Sequence, residues 1–157
     1  GLSQGLGIPR AEAKQIIDDY FAQFPGVRGY MDEMIGFCRT NGYVKTLMGR
    51  RRYLPDITSA NDTVRAQAER VAINAPMQGT AADIIKVAMV NIHHELKQRK
   101  LRSKLLLQVH DELVFDAHME EAEELKGLVR ERMERAMELA VPLVVDMGMG
   151  KNWLEAH

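Results

Sequence analysis

The chain has 157 residues, 46% hydrophobic and 27% charged, the balance of a soluble domain that can bury a core, which excludes a disordered tail. Its single cysteine, Cys38, rules out an internal disulfide. No signal-peptide pattern opens the sequence and no apolar stretch is long enough to span a bilayer, so a reducing cytoplasm is the simplest home and no membrane is expected.

The first residue is Gly1 rather than methionine, which leads us to expect a piece of a longer protein. From Pro9, the apolar residues Ala13, Ile16, Ile17, Tyr20, Phe21 and Phe24 recur at helical spacing until "FPG" ends the run. A second helical pattern runs from about Val27 through Tyr30, Met31, Met34, Ile35 and Cys38, and Asn41-Gly42 stops it. In "YVKTLMGRRRYLPD" the strand-forming Tyr43, Val44, Thr46 and Leu47 precede Gly49, which predicts a hairpin-like segment. Asn61 or Asp62 caps the next helix, Pro76 is expected to interrupt it, and a new helix is expected from about Gln78 to Gln98.

Leu105–Val109 and Leu113–Phe115 are short apolar runs without alternation, which fits two strands covered on both faces. Met119 to about Ala140 reads as one long amphipathic helix with Leu125, Val129, Met133, Ala136 and Ala140 on its stripe, and "VPLVVDMGMG" as a third strand broken by glycines. Without βαβα alternation the class is α+β, several helices packed on a small antiparallel sheet.

The net charge of −1 hides segregation. Residues 39–104 hold 13 Lys and Arg against 5 Asp and Glu, whereas 111–138 hold 4 against 10. A surface that meets a polyanion would leave this pattern, and so would two differently charged solvated faces.

The chemistry concentrates in "LLLQVHDELVFD". Two-residue hairpin turns favour Asn-Gly or Asp-Gly, and His110-Asp111 breaks that rule between two good strands, as happens where strands hold a strained functional turn. Asp111 and Glu112 could converge there on Mg²⁺, which takes one or two carboxylates and fills its other sites with water and substrate phosphate. A solvated acidic turn explains the same residues.

"LLLQVHDELVFD" closely resembles the third conserved polymerase motif of the family A DNA polymerases, the bacterial DNA polymerase I group. "YFAQFPGVRGYM", "GYVKTLMGRRRYLPDI", "ERVAINAPMQGTAADIIKVAM" and "VPLVVDMGMGKNW" agree in the same order, so the resemblance covers essentially the whole chain. It implies that Asp111 is one of two aspartates binding the catalytic metals and that Glu112 is a more accessory carboxylate. His110 would lie near the primer end, with a turn-holding hydrogen bond as its competing role. Asn74 and Gln78 would read the minor groove, where every base pair offers an acceptor, and Arg70 lies one helical turn before Asn74. Arg50, Arg51 and Arg52 would meet phosphate or form structural ion pairs.

The resemblance further implies an arrangement in which 1–100 is the C-terminal part of the fingers with helices leading into the palm, and 101–157 the C-terminal part of the palm. The family's first motif, resembling "DYSQIE" and carrying the other metal-binding aspartate, does not occur; of the second only the stretch beyond its end is matched, by "LSQGLGIP". The expected parent is a DNA-directed DNA polymerase of the bacterial cytoplasm. It would act on primer-template DNA and deoxynucleoside triphosphates with two Mg²⁺ ions and no obligate protein partner. The piece alone, with an incomplete metal site, is expected to be inactive. Two other functions compete: a non-catalytic duplex-DNA-binding module, which gains nothing from a carboxylate facing phosphates, and metal-dependent hydrolysis, which lacks a second ligand set. His93 and His94 are helix neighbours that cannot face one ligand, and "GMGKNW" lacks the spacing of a nucleotide fingerprint.

Overall fold

A computed structural model describes residues 1–156. By contact the chain divides into two compact units, Gly1–Met77 and Gln78–His157.

The first unit opens with three helices, α1 (Leu2–Leu6), α2 (Arg10–Gln23) and α3 (Pro25–Asn41). Helix α3 begins on a proline, whose missing donor costs nothing in a first turn, and ends on Gly42 in the left-handed conformation at φ 77°. A hairpin follows, β1 (Tyr43–Lys45) against β2 (Arg51–Tyr53), with Gly49 at φ 82° in its turn. Cys38, Val44, Leu54 and Ile57 are buried against Ala68, Ala72 and Ala75 of α4 (Asp62–Gln98). Alanines at those positions let neighbouring backbone come close. The Tyr30 hydroxyl donates to the Ile73 carbonyl at 3.0 Å, and burial, then the nearby Glu33 charge, raises its pKa, so it stays protonated as a donor.

Helix α4 starts where the sequence places its cap: Asn61 Oδ1 accepts from the Thr63 and Val64 amides at 3.0 and 3.3 Å. The expected interruption at Pro76 does not occur, and α4 runs on to Gln98. A proline removes one backbone bond, at a cost of about 3 kcal/mol in a helix interior. Here Ala68, Ala72 and Ala75 anchor the turns before it, and Ile85, Ala88, Ile92 and Leu96 are buried after it. Packing on both sides outweighs the local penalty.

In the second unit β3 (Lys104–Val109) pairs antiparallel with β4 (Glu112–Asp116). A 3-10 turn, Met119–Glu121, leads into α5 (Ala122–Glu134), and a last helical turn, α6, spans Trp153–Ala156. Ala88, Ile92 and Leu96 form the core with Leu125, Leu128 and Val129, and Leu113 and Phe115 pack against it.

The α+β class holds, with two separate two-stranded sheets in place of one. Three sequence expectations are corrected in this unit. First, β3 and β4 are not covered on both faces: Leu106 and Leu107 are 57% and 45% exposed. A bulge between Leu105 and Leu107 explains the unbroken apolar run. It shifts the register so that Leu105 pairs with Phe115 and Leu107 with Val114, and of the hairpin Leu113 and Phe115 pack on the core. Second, α5 ends at Glu134 rather than Ala140; the Ala136 amide donates to Met133 O at 3.2 Å, the tighter winding of a closing turn. Third, 141–150 form no strand. Val141 and Val144 are exposed, and no strand edge among the described residues pairs with them.

Candidate functional site

The hairpin tip carries the candidate metal-binding residues. His110 and Asp111 form the two-residue turn between β3 and β4, and His110 sits at φ 53°, the left-handed region that costs a residue with a Cβ about 1–2 kcal/mol. Gln108 Nε2 donates to the His110 carbonyl at 2.8 Å, bracing this conformation. Asp111 is exposed at the tip and Glu112, half-buried, begins β4 opposite Val109.

The other end of the hairpin is clamped. Glu121 accepts the Arg102 amide on both carboxylate oxygens at 3.0 Å, and the Ser103 amide and hydroxyl at 2.9 and 2.7 Å. The Ser103 oxygen in turn accepts the His118 amide at 3.0 Å, tying the chain after β4 to the chain before β3. These bonds, the Arg102 amide first, pull the Glu121 pKa from 4.5 to about 2. A carboxylate carried at the tip is therefore held by strands fixed at both ends. Sequence reasoning missed Gln108 and Glu121; Gln108 had a signal, as the one polar residue inside an apolar strand.

Arg70, Asn74 and Gln78 are exposed and follow one another at four-residue steps along α4. Arg70 and Asn74 belong to the first unit, and Gln78 opens the second. The Arg70 guanidinium donates to the Gln67 side chain, whereas the amides of Asn74 and Gln78 point to no partner among the described residues.

The run Arg50-Arg51-Arg52 is not one cluster. Strand alternation places Arg51 opposite Lys45 on the face with Tyr43 and Tyr53, and Arg52 opposite the buried Val44 on the other face. His93 and His94 are both exposed, with ring centroids 6.3 Å apart.

Among the described residues, no group of three or more His, Cys, Asp and Glu side chains comes together in a way that could hold a metal ion. Asp111 and Glu112 nonetheless fit the protein's share of a Mg²⁺ site, one or two carboxylates completed by water and substrate phosphate.

Residues 1–155 match the family described as DNA polymerase family A; the chain belongs to that family. It is 54% identical over 156 residues to DNA polymerase I of Geobacillus stearothermophilus, 53% to that of Bacillus subtilis strain 168 and 51% to that of Lactococcus lactis subsp. cremoris strain MG1363. Each comparison covers 99% of this chain and 18% of the relative, so the chain spans under a fifth of their length. Among solved structures, the POL domain of Pol1 from M. smegmatis, in complex with DNA primer-template and dNTP, superposes with a TM-score of 0.97 at 51% identity, over 99% of this chain and 28% of that one. Family A DNA polymerases generally depend on divalent metal, and among the described residues no helix is long and apolar enough to cross a membrane.

Proposed function

We propose that the chain is a segment of a polymerase I-type DNA-directed DNA polymerase of the bacterial cytoplasm. In that reading 1–100 are the C-terminal part of the fingers with helices leading into the palm, and 101–157 the C-terminal part of the palm. The reaction joins a primer 3′-hydroxyl oxygen to the α-phosphorus of a deoxynucleoside triphosphate, with pyrophosphate leaving. The observation that carries this reading is Asp111 at the tip of a braced hairpin, in a family A chain about half identical to DNA polymerase I over nearly its whole length.

Asp111, with Glu112 beside it, would hold Mg²⁺, which when bound neutralises charge developing on the transferred phosphate. The hairpin's part is positional: clamped at Glu121 and braced at Gln108, it fixes where Asp111 presents its oxygens. His110 would lie at the primer end. Asn74 and Gln78 would donate to minor-groove acceptors common to all base pairs, testing pair shape without reading sequence, with Arg70 one turn away on the same helix. Arg50, Arg51 and Arg52 would contact phosphate.

The test is Mg²⁺-dependent primer extension by a longer chain that includes the upstream motifs, with and without Asp111→Ala. Extension should fall about a hundredfold or more while primer-template binding persists. Unchanged extension would make the turn structural and leave duplex binding as the better reading. The 157-residue chain alone should extend primers at less than about a tenth of the longer chain's rate, because the other metal-binding aspartate, which the resemblance puts in the upstream motif, is needed to fix the reacting geometry.

A further inference from the structure

Asn74 is exposed on α4, and its side-chain amide meets no partner among the described residues. An amide free to point several ways cannot test where an acceptor lies, so the backbone that carries it must be held. The helix alone holds it poorly at this point. Pro76 has no N–H to give the Ala72 carbonyl, which leaves the turn around Asn74 short of one backbone bond.

A bond from outside the helix falls on this same turn. The Tyr30 hydroxyl of α3, 43 residues away in the chain, donates to the Ile73 carbonyl at 3.0 Å. That carbonyl and the Asn74 N–H are the two ends of one planar peptide unit, so a bond that holds the first sets the orientation of the second and of the Asn74 Cα. Tyr30 is itself half-buried. Further along α3, Cys38 is fully buried in one cluster with Ala68 and Ala72 of α4, which fixes the helix that carries the hydroxyl.

We propose that Tyr30 is a positioning residue for base-pair discrimination: its hydroxyl, through the Ile73–Asn74 peptide, aims the Asn74 amide at the minor-groove acceptor of a newly formed pair. The inference rests on the minor-groove reading of Asn74 above. A correct pair presents its acceptor at a fixed place, and a mispair displaces it. An amide held in one direction loses its bond to a displaced acceptor, whereas a loose one follows it. Tyr30 therefore adds discrimination more than rate.

The experiment uses the longer chain that includes the upstream motifs, extending primers with matched or mismatched 3′ ends, and reads the ratio of kcat/KM for the two. Asn74→Ala should lower that ratio about fivefold, by slowing extension from the matched end. Tyr30→Phe removes only the hydroxyl and should lower the ratio about threefold by quickening the mismatched end, with the matched end within about twofold of wild type. The double variant should show the ratio of Asn74→Ala alone, because the hydroxyl then has nothing to aim. Thr40→Val takes from α3 another hydroxyl that donates to a main-chain carbonyl, that of Gly36 at 3.1 Å, and should leave the ratio unchanged.

The proposal is overturned if Tyr30→Phe leaves the ratio unchanged, slows both ends equally as a merely structural loss would, changes the ratio no more than Thr40→Val, or multiplies with Asn74→Ala in the double variant. An Asn74→Ala effect that stands while Tyr30→Phe has none overturns this inference alone. Asn74→Ala without effect on the ratio overturns the minor-groove reading, and this inference with it.

Discussion

The side-chain amide of Gln108 donates to the main-chain carbonyl of His110 across 2.8 Å, joining the last turn of strand to a residue in the left-handed region at φ 53°. A hydrogen bond of this kind contributes about 0.5–1.5 kcal/mol net. Gln108→Leu should lower unfolding stability by about that amount, read as a lower urea midpoint at unchanged slope. Amide exchange at Glu112 should quicken more than exchange in α5, because the loss is local to the hairpin.

His110 itself gives a second test, of backbone rather than bonding. Asn tolerates left-handed φ far better than a β-branched residue does. His110→Asn is expected to change stability by less than about 0.5 kcal/mol, and His110→Val to cost about 1–2 kcal/mol or more. Chemical denaturation of the two variants side by side checks this, and equal costs would mean that the turn relaxes out of the left-handed region.

Glu121 makes the hairpin's base sensitive to acid. Its carboxylate is held at a pKa of about 2 against 4.5, chiefly by the Arg102 amide and then by Ser103. A depressed carboxylate contributes stability that is fully present above its unfolded value and is lost as pH falls towards its folded one. The urea midpoint should therefore decline from about pH 5 down to about pH 2. Glu95, whose pKa is lowered chiefly by its bond from Arg99 and also by Arg132, adds to the same decline. The Glu121 share is isolated by Glu121→Gln: the gap between wild type and variant should be widest above pH 5 and close as acid protonates the wild-type carboxylate. A gap that stays constant with pH would show that the clamp does not depend on the charge.

Local chemistry explains which parts of this fold were legible in the sequence. Asn41-Gly42 stops a helix and Asn61 caps one by contacts within four residues, so both could be read directly. Pro76 could not be, because the packing of Ala72 and Ala75 on one side and Ile85 on the other decides whether the helix survives. The end of α5 was hidden for a related reason: apolar periodicity continues through Ala136, which still packs on the core, although the backbone has already left the helix. The bulge at Leu106 made a one-sided strand look buried on both sides. At the site, the broken turn rule at His110-Asp111 pointed to the hairpin tip, whereas the roles given to Asp111, Asn74 and Gln78 came from resemblance. The division of the arginine run between two faces needed the register of β1 and β2, which sequence does not state.

Two glycines should respond to alanine with opposite signs. A Cβ on Gly148 would lie 1.7 Å from the Ala156 carbonyl oxygen, and backbone atoms cannot yield as a flexible side chain does, so the C-terminal turn must move. Trp153 opens that turn and is the chain's one tryptophan, which makes it a direct reporter. Gly148→Ala should red-shift its emission and raise its quenching by acrylamide. Gly127, inside α5, has open space where a Cβ would go and a φ that any L residue adopts. There alanine removes only the entropy that glycine loses on entering a helix, and Gly127→Ala should raise stability by about 0.5–1 kcal/mol with Trp153 emission unchanged. If both variants lose stability alike, the open space beside Gly127 is taken by something other than solvent; if Gly148→Ala leaves the emission untouched, the close approach to Ala156 is not what holds the C-terminal turn.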